Sequence, residues 1–239
     1  MQVTTKAIVL TSIKYGDTSL IVKMYTQSNG IRSYILKGVL SSGKGRLKAA
    51  YFQPLAQLEL VAVHKDRGSL EHIREVRANY HYQSLHTHIA KNAITFFLAE
   101  MLANSIHEEE PNDGLFHFLE ATLQWLDSND EFVDFHLCFL LSLTRYLGFY
   151  PDTKNMDFPC FDLLEGEFVK TESLNPVLVG EELLHFKRLL GVNFDTLRSI
   201  RLRKRDRQNL LKNLINYFEL HLQGFRRPKS LAVLNDIFS

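Results

Sequence analysis

Cysteine is almost absent from this chain. Its 239 residues hold only Cys138 and Cys160, too few for a disulfide scaffold or a four-cysteine zinc site, and a reduced, cytosolic protein is the simplest expectation. Long apolar runs are missing too. The longest, Phe135 to Thr144 between Asp134 and Arg145, has ten residues, against the roughly 20 that a spanning helix needs, so no membrane association is expected. At the amino end the apolar patch after Lys6 is soon interrupted by Lys14 and Asp17, which does not suit a signal peptide. Net charge is nearly lacking, +1 from 28 Lys and Arg against 27 Asp and Glu. Aromatics are plentiful: 17 Phe, 9 Tyr and 1 Trp, with 23% charged residues, exclude a disordered chain. The length suits one large or two small domains.

The small net charge is a cancellation. Residues 1–80 carry 12 basic and 5 acidic groups, residues 81–197 carry 6 and 19, and residues 198–239 carry 10 and 3. The three blocks therefore stand at +7, −13 and +7. Such asymmetry says more about partners than overall charge does.

Up to about residue 78 the pattern has a period of two, and it predicts strands over 6–13, 19–26, 31–39 and 55–64, with a short fifth over 70–76. Within the second, Leu20, Val22 and Met24 fall on one side, and Gln27-Ser-Asn-Gly30 is a turn signal. Short strands without intervening long helices predict a small barrel or sandwich. From Tyr80 the spacing becomes helical, with Leu85, Ile89, Ala93, Phe96, Phe97 and Met101 three or four apart. Pro111 is expected to open a second helix. Glu131 to Leu147 is apolar nearly all round, which places a helix at the centre of a bundle, ended by Gly148 and Pro151. Residues 151–180 read as irregular, and further helices are expected over 183–190 and 210–222. The boundary falls near residue 80.

Catalytic motifs are lacking. Gly38-Val-Leu-Ser-Ser-Gly43-Lys44-Gly45 imitates a phosphate-binding loop, but Gly45 stands where a Ser or Thr hydroxyl should hold Mg²⁺, and no long helix follows. A nucleotide hydrolase is accordingly disfavoured. His81, His86 and His88 have spacings that do not share a helix face. Glu108-Glu-Glu110 suits a helix start, and Cys138 suits a core. No enzyme, cofactor or metal is expected.

What remains is basic and aromatic. Lys37, Lys44, Arg46 and Lys48 form a basic loop, and Arg198, Arg201, Arg203, Lys204, Arg205 and Arg207 put six cations in ten residues. Asp206 is expected to cap the helix carrying Leu210, leaving that basic run at its amino end. Cations there oppose the helix dipole, and a bound anion would explain them as well as a solvated face does. In the β-module aromatics interleave with cations at Lys14-Tyr15, Lys23 and Tyr25, Tyr34 and Lys37, and Lys48 with Tyr51-Phe52. That mixture is how small oligonucleotide-binding barrels hold single strands.

Over its full length the chain resembles the RecO family of bacterial recombination mediators. The residues that carry the resemblance are Ala7-Ile-Val-Leu10, Tyr15-Gly-Asp17, Thr26, Gly30, Lys37-Gly38, the basic loop to Lys48, and Leu55. Leu147-Gly148-Phe149 with Pro151 is similar in pattern, as are Gly224-Phe225, Lys229-Ser-Leu231 and Val233-Leu234 at the carboxyl end. The resemblance implies an α+β chain with an amino-terminal OB-fold β-barrel over 1–80 and an all-α helical domain over 81–239. It implies binding to single- and double-stranded DNA, strand annealing, and help in loading RecA onto DNA covered by single-strand-binding protein (SSB). RecR and the C-terminal tail of SSB are the implied partners, and the setting is cytoplasmic and nucleoid-associated. Many members carry a four-cysteine zinc ribbon where this chain has residues 152–170. Only Cys160 stands there, so zinc is not carried over and 157–168 reads as a metal-free hairpin.

On this reading Lys14, Lys23, Arg32, Lys37, Lys44, Arg46 and Lys48 contact phosphates, with Tyr15, Tyr34 or Phe52 stacking on bases. Arg201, Arg203, Lys204, Arg205 and Arg207 extend the track or receive an acidic peptide. The alternative is a protein-interaction adaptor that docks partners through its helical domain without touching DNA.

Overall fold

The computed structural model describes residues 1–41, 48–64, 70–200 and 202–238. They form two compact units, Met1–Asp127 and Ser128–Ser239.

In the first unit five strands, β1 (Gln2–Tyr15), β2 (Ser19–Thr26), β3 (Gly30–Leu36), β4 (Gln57–Val63) and β5 (His72–Ala78), form an antiparallel sheet in the order β3-β2-β1-β4-β5. The sheet closes on itself where the Ile35 amide donates to the Glu71 carbonyl (3.0 Å) and the Glu71 amide to the Ser33 carbonyl (2.8 Å), a parallel bridge. This closed five-stranded arrangement is the OB-fold barrel. β1 serves both β2 and β4, and a break in register between Val9 and Thr11 lets it bend between them. The inward set includes Val9, Leu20, Val22, Met24, Tyr34, Leu36, Leu58 and Leu60, so the period-two pattern of β2 selects the buried side as expected.

Strand gives way to helix near residue 80, but the packing unit runs on to Asp127. The reason lies on the outside of the barrel. Ile8 and Tyr25, paired across β1 and β2, are both buried yet stand outside the barrel core. Helices α1 (Ile89–Ser105) and α2 (Asp113–Ser128) cover them: α1 packs on β1, and the Tyr25 ring lies 6.1 Å from that of Phe116. The start of α2 is capped by Asn112, whose Oδ1 accepts the Leu115 amide at 2.9 Å, and not opened by Pro111 as the sequence suggests. An Asn side chain satisfies an orphan amide, which a proline at that position does not. Asp127 closes the unit: its carboxylate accepts the amides of Gln83, Ser84 and Leu85 at 2.8–3.1 Å. Burial alone would raise its pKa, but those hydrogen bonds outweigh burial and hold the carboxyl below its usual range. The Lys91 ammonium donates to Ser84 Oγ and to the Asp127 carbonyl, both at 2.8 Å.

In the second unit the apolar helix α3 (Phe135–Tyr146) is buried on most sides, as its composition requires. It packs with α4 (Gly180–Leu190) and α5 (Lys204–His221), and α6 (Leu231–Ile237) ends the unit. Residues 151–180 are not irregular. They carry a three-stranded sheet, β6 (Cys160–Asp162), β7 (Glu167–Val169) and β8 (Val177–Val179), in the order β7-β6-β8. Its strands are three residues long, too short for a period to show in sequence. Asp162 ties it together, accepting from the Leu164 and Glu165 amides, Ser173 Oγ and Asn175 Nδ2 at 2.6–3.1 Å. The apolar side is an aromatic cluster in which Phe161 contacts Phe168, Phe186 and Tyr217.

Candidate nucleic-acid interface

One end of the barrel in the first unit presents exposed basic and aromatic residues. Register places Lys14 opposite Leu20 and Leu20 opposite Leu36, so Lys14 and Tyr15, at the end of β1, and Lys37, just past β3, lie at the same end of the barrel. Gly16, with φ +60°, turns the chain between β1 and β2. The segment after β3 folds back on that turn, the Leu40 amide donating to the Thr18 carbonyl at 2.9 Å. The last residues of β1 leave the core: Ile13 is 62% and Tyr15 56% exposed, and Leu40 joins them at 40%. Lys14 and Lys37 are exposed. Neither makes an ion pair among the described residues, so both charges stay available to an anion.

Other candidates are already engaged. The Lys23 ammonium donates to the Ala103 carbonyl at 2.9 Å, and its partial burial holds its pKa below the usual value. Arg32 pairs with Glu109 at 3.3 Å. Lys23 thus binds the last turn of α1, and Arg32 the α1–α2 connection, whose Glu108 carbonyl also accepts the Ile31 amide at 2.9 Å. Tyr34 and Phe52 do not present rings to bases. They lie inside the barrel, 0% and 2% exposed, and the Tyr34 hydroxyl is bonded to His64 Nε2 at 2.9 Å. Tyr34 turns inward from β3, where aromatic residues fill the buried side of a strand, and Phe52 turns inward from the short 3₁₀ turn Ala49–Phe52. Lys48 is exposed. Lys44, Arg46 and Arg201 lie outside the described residues.

The basic run of the second unit divides in the same way. Helix α5 starts at Lys204, with Arg203 as its N-cap residue and no side-chain cap. Asp206 is therefore not the cap. It lies in the first turn and faces His185 at 3.6 Å. Arg207 is mostly buried and its Nε donates to Asp134 Oδ1 at 2.6 Å, so it holds α5 to the start of α3. Arg203, Lys204 and Arg205 are exposed. A cleft of about 300 Å³ brings Arg203 and Arg205 together with Glu181, Glu182 and Asp206, so carboxylates already face these cations. Of the five candidates in this stretch, three are exposed, one is structural and one is undescribed.

The sequence matches the family models described as "Recombination protein O N terminal" over residues 1–81 and "Recombination protein O C terminal" over residues 86–232. It is 50% identical to the DNA repair protein RecO of Christiangramia forsetii over the whole of both chains. It is 47% identical to that of Flavobacterium psychrophilum, again over the whole of both, and 37% identical to that of Phocaeicola vulgatus over 98% of each. The chain belongs to the RecO family. Membership sets it in DNA repair and recombination. A zinc ribbon does not fit this RecO-family chain. Among the described residues no group of three or more His, Cys, Asp or Glu could hold a metal, and Cys160 is buried in β6. The Asp162 carboxylate joins the strands and turns of that segment instead. Burial would raise its pKa, yet the hydrogen bonds from Ser173, Glu165, Asn175 and Leu164 hold it below the usual range. Among the described residues no helix is long and apolar enough to cross a membrane.

Sequence reasoning passed over Tyr80 and Tyr82, whose rings lie 5.2 Å apart where β5 runs out. Tyr80-His81-Tyr82 was a legible signal, an aromatic cluster at the point where the strand period stops.

Proposed function

We propose that this chain is a DNA-binding recombination mediator, which anneals complementary single strands and assists RecA loading onto SSB-coated DNA. It acts by binding, with no catalytic residue or cofactor. Annealing requires only that repulsion between two phosphate backbones be screened while the bases stay free to pair, and clustered unpaired cations do that. The carrying observation is the exposed barrel end, where Lys14, Tyr15 and Lys37 are all exposed and neither lysine is paired with a carboxylate among the described residues. Lys48, with Lys44 and Arg46 in the same basic stretch of sequence, supplies further phosphate contacts, and double-stranded DNA is held by the same charges. On this reading Arg203, Lys204 and Arg205, exposed at the start of α5, receive the acidic SSB tail or extend DNA contact, in competition with the carboxylates of their cleft, and RecR is the second protein partner. The work takes place in the cytoplasm, at the nucleoid.

A titration of a 30-mer single strand at several salt concentrations tests this. The logarithm of affinity should fall linearly with the logarithm of salt, with a slope of about −0.7 per phosphate neutralised. Replacing both Lys14 and Lys37 with Gln should reduce the magnitude of that slope by about 1.4, on the same per-contact value. Salt-independent affinity, or no DNA binding with partner capture intact, would overturn the proposal in favour of an adaptor.

A further inference from the structure

Away from the barrel end, the first unit carries an aromatic groove of about 300 Å³, at the lower end of the ~300–1,000 Å³ of small-ligand sites. Tyr51, Ala78, Tyr80, His81 and Tyr82 line it together with Lys48, and no Asp or Glu is among its described lining residues. Two clefts of the second unit differ in kind. That beside α5 is lined by three carboxylates, and that between α5 and α6 has no aromatic ring.

The floor of the groove is fixed. The Tyr82 hydroxyl donates to the Leu55 carbonyl at 3.0 Å, His86 Nε2 bonds the Pro54 carbonyl at 2.9 Å, and the Tyr82 and His86 rings meet edge-to-face at 5.3 Å. Gln57, also lining it, is held by the Glu120 carbonyl and by Gln124 at 3.0 and 2.9 Å. Leu55 itself has φ +60°, a left-handed conformation that costs a residue with a Cβ and persists only where its surroundings fix it. Here the Leu55 amide donates to Val9 at 2.7 Å while its carbonyl accepts Tyr82. Tyr51 and Tyr80, in contrast, are half-buried, and among the described residues their hydroxyls have no hydrogen-bond partner. A floor held by those hydrogen bonds, two half-buried tyrosine rings, Tyr51 backed by the barrel core and Tyr80 by Tyr82, and a lysine in the lining match a flat ring that carries a phosphate.

We propose that this groove receives one nucleobase of a single DNA strand, held against the rings of Tyr51 and Tyr80, with the adjoining phosphate drawn to Lys48. It rests on the reading that the protein binds DNA and adds a base-holding site outside the barrel-end cations. The rings stack on any base, so the site grips a strand without reading its sequence.

The full chain is titrated by fluorescence anisotropy with a labelled thymine 20-mer and with a 20-mer of the same backbone in which every base is missing. Tyr51→Ala and Tyr80→Ala should each weaken binding of the thymine strand by about tenfold, within the range measured for loss of one base–aromatic stack. They should leave the abasic strand and the salt slope unchanged. Tyr51→Phe and Tyr80→Phe keep the stacking face and should keep wild-type affinity, and a cooperative thermal transition in each shows that all four variants fold, even where loss of the packing of Tyr51 on the barrel core lowers the midpoint. If the alanine variants bind the thymine strand as the wild type does, or weaken both strands alike, the groove is not a base site. Nor is it one if a partner's aromatic peptide fills the groove without competing with the strand. If the wild type binds neither strand, the DNA-binding reading itself falls, a result separable from failure of the groove alone.

Discussion

Arg205 and Arg207 stand two positions apart in one basic run, and burial separates their roles. Arg207 places its Nε 2.6 Å from a buried Asp134 carboxylate, while Arg205 stays exposed. Burial raises the Asp134 pKa, and the hydrogen bond and charge of Arg207 work against that rise. Losing Arg207 would therefore strand a buried carboxylate. Arg207→Ala should destabilise the protein by about 3 kcal/mol, the scale of a broken buried pair, whereas Arg205→Ala should stay within about 0.5 kcal/mol. Urea unfolding of the two variants checks this, and equal midpoints would show that the pair contributes nothing. At this scale sequence reading picked out residue type but not employment. Lys14 and Lys23 look alike along the chain, yet one is exposed and the other holds the Ala103 carbonyl.

At the scale of elements, the turn between β2 and β3 was legible because Asn29-Gly30 carries its own conformational preference. The contact that turn makes was not. Gly30 has φ +60°, and a Cβ there would come within 2.5 Å of the Glu108 carbonyl oxygen and 2.6 Å of that of Glu110. The site thus needs glycine twice over, for its dihedral angle and for the chain lying on it. Gly30→Ala should cost at least about 2 kcal/mol, since a left-handed Cβ alone costs roughly 1–2. It should also speed hydrogen exchange of the Ile31 amide, which donates to Glu108. Unchanged exchange at Ile31 would mean that the α1–α2 connection does not depend on this approach. The hairpin expected over 157–168 is present as the antiparallel pair β6–β7, but the third strand, β8, escaped detection. Its three residues pair with β6 while the Asp162 carboxylate ties down the turns on either side of β7, and neither a short strand nor a side-chain hub leaves a periodic trace.

At the scale of the whole molecule, the barrel is completed by helices that follow it in sequence. Ile8, Leu10 and Tyr25 are at most 2% exposed and lie outside the barrel core. Leaving three such side chains uncovered costs roughly 1.5–3 kcal/mol each, close to the ~5–15 kcal/mol that stabilises a typical domain. A fragment of residues 1–127 should fold and melt cooperatively, while one of residues 1–81 should not, as judged by circular dichroism on heating. Equal melting midpoints for the two would overturn this account of the first unit.

The near-zero net charge with which the sequence presents itself is the sum of two basic blocks and an acidic one. The sequence by itself determined the strand and helix periods, the strand-to-helix change near residue 80, the absence of a four-cysteine zinc set and the likeness to the RecO family, because each is written in local order and spacing. Tertiary structure alone decided which cations remain open. It closed the barrel through Glu71, spent Lys23, Arg32 and Arg207 on holding helices, turned Tyr34 and Phe52 inward, and left Lys14, Tyr15 and Lys37 at one end. The physical reason is that a charge or ring is free only if no distant segment covers it, and that depends on contacts between residues far apart in the chain.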